Sequence, residues 1–164
     1  PSTVKTRRVQ TALEMLAAVE AELPADVFVG VAAVADWRPA ESAAQKLKTD
    51  KAQVASLSLT ENPDILRTVA GLKSNRPRLV VGFAAETHDV ERHAREKLAR
   101  KGCDWIVAND VSGGAMGGAD NEVALVTRQG VDAWPKADKA DIARRLAQRI
   151  AESLDAPRDE RRAE

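Results

Sequence analysis

Apolar residues gather in three short runs, separated by stretches of helical period. The first, Val27 to Ala35, reads VFVGVAAVA, nine residues that are all apolar or Gly, and Asp36 closes it. A Val-rich, charge-free run predicts a strand buried on both faces, as in a parallel sheet. Leu79 to Ala85 (LVVGFAA) ends in the same way at Glu86 and Thr87, and Trp105 to Ala108 ends at Asn109 and Asp110. Helices are predicted around them. Thr11 and Glu14 form a capping box ahead of Leu13, Leu16, Ala17 and Glu20, with the end near Leu23-Pro24. Asn62-Pro63-Asp64 offers an Asn cap, a Pro at the first helical position and an acid in the first turn. Ile65, Leu66, Val69 and Leu72 supply that helix's apolar stripe. Asp89 opens a third helix, with Val90, Ala94 and Leu98 on one face and Gly102 as its stop. Val123 to Thr127 and Val131 to Trp134 flank Arg128-Gln129-Gly130, which predicts a hairpin. Asp138 caps a last helix carrying Ile142, Leu146 and Ile150, and Val4 to Gln10 reads as a short polar strand.

Strand and helix alternate, then a hairpin and a helix close the chain. This order predicts a three-layer α/β sandwich around a mostly parallel, Rossmann-like sheet. Ligands of such sheets lie beyond the carboxyl ends of the strands, where each apolar run here delivers polar residues. Two stretches have no clear period: Arg38 to Ser56, which holds Lys46, Lys48 and Lys51, and Ser112 to Asp120, which holds four glycines. Loops this long are usually functional. One domain is predicted over residues 1–154, with a charged, disordered tail over 155–164.

Composition narrows the function. Lys+Arg and Asp+Glu are both 25 in 164 residues, so no net field draws in nucleic acid or a membrane surface. A single cysteine, Cys103, rules out an internal disulfide and a cysteine-rich zinc cluster, and it predicts a reducing cytoplasm. No apolar run approaches the roughly 20 residues of a membrane span.

Several residues carry candidate chemistry. Asp36, at a strand's carboxyl end, is placed to hold a ribose hydroxyl or a metal, or simply to cap a turn. Lys46 and Lys48 alternate around Leu47 in the long loop, either solvated or closing over an anion. The Asn62–Leu66 helix start presents free N–H groups to a polar ligand. Lys97 and Lys101 share a helix face, where they either answer the helix dipole or hold a polyphosphate. Phe83 is a core side chain or a platform for a base. His88 and His93, five apart, read as surface residues, and Cys103 as a small buried side chain.

Six segments then occur in one order: AAVADWRP (Ala32 to Pro39), KLK (Lys46 to Lys48), ENPDIL (Glu61 to Leu66), VGFAAET (Val81 to Thr87), the Lys97/Lys101 pair, and DWIVAND (Asp104 to Asp110). Together they closely resemble phosphopantothenoylcysteine synthetase, the ligase half of the bifunctional coenzyme A biosynthesis protein CoaBC, over roughly residues 5 to 153. The resemblance implies a CTP-dependent ligase. In that family the carboxylate of 4′-phosphopantothenate attacks the α-phosphate of CTP, and the amine of L-cysteine then displaces CMP from the acyl-cytidylate. It implies Mg²⁺ as the supporting cation, CTP as co-substrate, a homodimer, and FMN only in a separate decarboxylase domain.

By the same resemblance, Gly30, Val31, Ala32 and Asp36 match CTP contacts. Lys46 matches the mobile-loop lysine that stabilises the acyl-phosphate. Pro63, Asp64, Ile65 and Leu66 match the segment that wraps the nucleotide, Phe83 the position beside cytosine, and Lys97 and Lys101 the phosphate-facing pair. The resemblance puts Asp36 near the nucleotide's sugar or metal and leaves the metal ligands unknown. Thr49 departs from the family's Lys-x-Lys-Lys loop. The family's Gly-rich opening segment, with the Asn that holds the acyl-cytidylate, has no match after Pro1, so the expectation is an N-terminally shortened ligase domain that is inactive alone. Two rivals stand beside it. A nicotinamide-dependent oxidoreductase requires a G-x-G-x-x-G turn, which is not found here. The other is a non-catalytic nucleotide-binding or dimerisation module.

Overall fold

The computed structural model describes residues 3–41, 57–112 and 120–155. They form two compact units that share the chain by turns: residues up to 22 with 33–65, and residues 23–32 with those from 66 onward.

The first unit holds α1 (Ala12–Glu20), and β2 (Trp37–Pro39) paired antiparallel with β3 (Leu59–Glu61). The Thr11 hydroxyl accepts from Glu14 N–H at 3.1 Å, and the Glu14 carboxylate reaches back to Gln10 N–H at 2.8 Å. The predicted capping box is therefore built, shifted by one residue on its return arm. Val4 to Gln10 forms no strand and lies exposed, as three basic residues in seven would favour. Arg38 and Pro39, at the start of the predicted Arg38 to Ser56 loop, belong to β2, β3 follows that stretch, and residues 42–56 lie outside the described residues.

The second unit is built on a five-stranded sheet in the order β1-β4-β5-β6-β7. Its strands are β1 (Val27–Gly30), β4 (Leu79–Glu86), β5 (Trp105–Asp110), β6 (Asp120–Val126) and β7 (Val131–Asp138). The first three run parallel, and the hairpin strands β6 and β7 add antiparallel pairs, so the sheet is mixed. Period-two alternation splits the side chains between two faces. Leu79, Val81, Val107, Val123, Leu125 and Trp134 pack with Leu146 of α4 (Lys139–Asp155), and Ile142 and Ile150 lie along the same core. On the other face Leu66 of α2 (Ile65–Ala70) reaches Gly82 and Ile106. α3 (Val90–Lys101) packs against β4, β5 and β6, burying Ala94 and Leu98. This is the predicted three-layer α/β arrangement.

Three expectations change. The first apolar run is not one strand buried on both faces: only Val27–Gly30 is strand, it lies at the sheet edge, and Val29 is 38% exposed and Val31 62%. α2 begins at Ile65, not at Asn62, and has six residues, too short for an N-terminal anion site. Asp155, expected in the tail, is the last residue of α4.

The amino ends of β4 and β5 are tied by one carboxylate. Asp104 accepts two bonds from Arg76 Nη2 at 3.0 Å and one from Val80 N–H at 2.7 Å. Asp104 N–H donates to Val80 O at 2.9 Å. Arg76 continues through Nε to Ala70 O at 2.8 Å and through Nη1 to Pro77 O at 2.9 Å.

Candidate functional site

The residues flagged in the sequence fall into two groups, one in each unit. In the first unit Asp36 sits in a turn that Asn62 clasps. Asn62 N–H donates to Asp36 O at 2.7 Å, its Nδ2 donates to Ala35 O at 2.8 Å, and its Oδ1 accepts from Arg38 Nη1 at 3.1 Å. Arg38 Nη1 also donates to Glu61 O. Asn62 therefore does not cap α2. Its side chain is spent on the turn that presents Asp36, and Pro63 and Asp64 follow directly. The Asp36 side chain is exposed. Ile65 is buried, so it packs the protein interior.

In the second unit the candidates cluster where β1 and β4 end. Gly30 is the last residue of β1, and Val31 and Ala32 continue beyond it, exposed. Phe83 is partly buried against the core shared with α4. Phe83 is neither fully buried nor exposed.

Lys97 is half-buried, and its Nζ donates to Phe83 O at 2.7 Å. Burial holds its pKa below the usual lysine value, and the neighbouring positive charge of Lys101 pushes the same way, while Glu86 opposes it. The two lysines are one turn apart, as predicted. Lys46 and Lys48 lie outside the described residues, as does the Gly113 to Gly118 stretch.

The rim of the sheet carries a group that sequence spacing missed. His88 is exposed, as predicted, and His93 is half-buried; their rings meet edge to face with centroids 5.0 Å apart. Asp89 takes a left-handed conformation just ahead of α3, and this folds His88 back onto the helix. Arg92 Nη2 lies 3.0 Å from His93 Nε2. A guanidinium only donates, so the neutral ring carries its proton on Nδ1, 3.4 Å from Glu86 Oε2. The Asp89 carboxylate bonds Arg92 at 2.9 Å and titrates below its usual value, through that hydrogen bond and then the charge itself. At the end of β5, Asp110 Oδ1 accepts from Ser112 N–H at 2.8 Å, and the Ser112 side chain first, then this backbone bond, lowers its pKa. Cys103 is buried, its Sγ faces Trp105 O at 3.5 Å, and burial pushes its thiol up to about 11. That is an inert packing thiol, as predicted.

Comparison with known proteins places this arrangement. The model of the DNA/pantothenate metabolism flavoprotein C-terminal domain matches residues 1–154. The chain belongs to that family. A curated member from Vibrio vulnificus strain YJ016, the coenzyme A biosynthesis bifunctional protein CoaBC, is 43% identical over 154 residues, covering 92% of this chain and 38% of that protein. The CoaBC of Escherichia coli strain K12 is 48% identical over 128 residues, covering 76% of this chain and 31% of that protein. The chain thus spans well under half the length of the curated relatives it matches. A crystal structure of the C-terminal domain of CoaBC superposes with a TM-score of 0.73 at 33% identity, covering 94% of this chain and 68% of that one. The structure of a DNA/pantothenate metabolism flavoprotein from Streptococcus pneumoniae shares the fold, with a TM-score of 0.68 at 18% identity. Membership in the flavoprotein C-terminal domain family fits the mixed sheet, the C-terminal hairpin and the closing helix. Among the described residues no helix is long and apolar enough to cross a membrane.

Proposed function

We propose that this chain is the larger part of a CTP-dependent ligase domain that joins 4′-phosphopantothenate to L-cysteine in coenzyme A biosynthesis. The observation that carries the reading is Lys97. A cation that is half-buried, bonded to a backbone carbonyl and one turn from a second lysine is held at a cost. A polyphosphate between Lys97 and Lys101 offsets that cost, and a triphosphate does so better than a monophosphate. Relatives named CoaBC supply the substrate class.

In the proposed reaction a pantothenate carboxylate oxygen attacks the α-phosphorus of CTP. The α–β phosphoanhydride bond breaks, and pyrophosphate leaves. The cysteine amine then attacks the acyl carbon, CMP leaves with the C–O bonding pair, and the amine proton passes to solvent or base. In this scheme Lys97 and Lys101 hold the phosphates, and Phe83 offers its ring to the base. Val31 and Ala32 contribute exposed backbone, and Leu66 closes the apolar wall. Asp36, fixed by Asn62, faces the sugar, and Lys46 steadies charge on the acyl-phosphate. The domain works as a homodimer in this reading.

Mg²⁺ commonly rides on substrate phosphates with only one or two carboxylates from the protein. Asp36 fits that use, as an exposed carboxylate available to a nucleotide-borne ion. When bound, the ion neutralises triphosphate charge. FMN belongs to a different domain in this reading.

The test is CTP against CMP affinity, by titration calorimetry, for the parent and for the Lys97→Ala, Lys101→Ala double variant. The parent is expected to prefer CTP, and the double variant to lose about tenfold of that preference, equal to about 1.4 kcal/mol. An unchanged ratio rejects the phosphate role.

A further inference from the structure

Gly30 and Gly82 are register partners on neighbouring strands. Both keep ordinary strand backbones: among the described residues Gly102 is the only glycine at positive φ. Conformational freedom therefore does not explain glycine at either place. Space does, and mainly at Gly82. A Cβ there would lie 2.5 Å from Leu66 Cδ2 and 2.9 Å from Ile106 Cδ1. At Gly30 the nearest atoms are Phe28 Cε1 at 3.2 Å and Leu66 Cδ1 at 3.7 Å, a tight but tolerable fit. The two glycines thus form a notch across β1 and β4 that receives the branched end of Leu66, and Gly82 is its closed side. Interiors packed at this density transmit such a clash instead of absorbing it.

We infer that Gly82 is a positioning residue of the nucleotide site, acting through Leu66. The inference rests on the ligase reading above. Three residues assigned to the nucleotide lie at this notch or next to it along the chain, with Phe83 turned to the opposite face of the sheet. Leu66 fills it, Phe83 follows Gly82 on β4, and Val31 follows Gly30 at the end of β1. Gly82 has no side chain with which to touch a ligand. Its contribution is to let Leu66 sit low against β4, which sets the height of the apolar wall that Leu66 offers the nucleotide. A methyl group at position 82 lifts Leu66 off the sheet or shifts β4 beneath it, and either motion displaces the Leu66 wall.

A double-mutant cycle on the whole chain tests this, with Mg²⁺ present and CTP affinity and thermal midpoint both measured. Gly82→Ala is expected to weaken CTP binding about tenfold while the chain still melts cooperatively. In a Leu66→Val background, where the crowding methyls are gone, the same change is expected to cost less than about threefold. Equal losses in the two backgrounds, or no loss in either, overturn the inference. Gly130→Ala, in the hairpin turn with open space around it, is the control. An equal loss there overturns the inference too. If Gly82→Ala does not fold, methyl and amide NMR of the unmutated chain decides: CTP must shift the Leu66 methyl and Gly82 amide resonances, and saturation without either shift refutes the role. A parent chain that binds no CTP overturns the ligase reading itself, which separates that failure from failure of the notch.

Discussion

Replacing Asp104 by alanine is the most quantitative test of how the sheet is held. Three hydrogen bonds end on this carboxylate, two from Arg76 and one from Val80 N–H. The side chains of Arg76 and Asp104 are 26% and 29% exposed, so the pair is partly shielded from solvent. A hydrogen bond to a charged group contributes about 1.5–3 kcal/mol, and a buried donor left without an acceptor costs about 1–3 kcal/mol. Val80 is fully buried, so no water replaces the lost acceptor. Arg76 retains Ala70 O and Pro77 O and can turn Nη2 to solvent, so the larger cost of a stranded buried charge does not arise. The expected loss for Asp104→Ala is about 3–4 kcal/mol. At about 2–4 °C per kcal/mol for a chain of this size, the midpoint falls by about 6–16 °C. Asp104→Asn keeps an acceptor for Val80 and should lose about half as much. Urea unfolding followed by circular dichroism reads both values, with the m-value as a check on the unfolded state. An Asp104→Ala midpoint within about 1 kcal/mol of the parent, at unchanged m, would show that this carboxylate does not hold β4 to β5.

Other outcomes follow from single sites. Cys103 should resist a thiol reagent at pH 8 in the folded chain and react fully in urea. Its folded pKa is raised from 9.0 to about 11, so its contribution to stability is intact below pH 9 and is lost as pH climbs through about 11. A Cys103→Ala variant whose alkaline melting profile parallels the parent's contradicts this. Gly102→Ala should cost about 1 kcal/mol through left-handed strain alone, because nothing lies within 4 Å of a Cβ there and φ is +67°. A neutral result in denaturant unfolding would remove the C-cap argument. Lys97→Met should leave the thermal midpoint no lower while weakening CTP binding, because burial already opposes the ammonium. A large loss of midpoint with CTP affinity intact would make Lys97 a structural residue.

The hairpin, α3 with its Gly102 stop and α4 with its apolar stripe were legible because one local signal decides each. The turn Arg128-Gln129-Gly130, the glycine after a charged amphipathic run, and Ile142, Leu146 and Ile150 on one helical face are all local. The first apolar run misled because composition reports how apolar a segment is, not how many strands flank it. Val27–Gly30 is as apolar as a central strand, yet among the described residues it pairs on one side only. Asn62 misled for a different reason. Its side chain suits a cap and a turn equally, and the partners that decide between them, Ala35 and Arg38, lie more than twenty residues upstream.

The meeting of His88 with His93 depends on one left-handed residue, Asp89, and no helical spacing rule includes such a residue. The notch had a faint signature, since glycine is the fourth residue of both Val27–Gly30 and Leu79–Gly82. Only the parallel register turns that coincidence into adjacency.

The pairing of β1 with β4 also shapes how the chain is made. Val27 pairs with Leu79 and Gly30 with Gly82, a separation of 52 residues along the chain. A ribosome adds about 5–20 residues per second, so β1 waits about 3–10 s for its partner β4. β6 and β7, joined by a four-residue turn, wait a fraction of a second by the same reckoning. During that interval Val27, Phe28 and Val29 form a short apolar segment with every backbone donor and acceptor open, the kind of segment that chaperones bind and other nascent chains capture. Its four-residue length limits the hazard. The hairpin and closing helix arrive last, and they cover a sheet whose first strand has been waiting the longest.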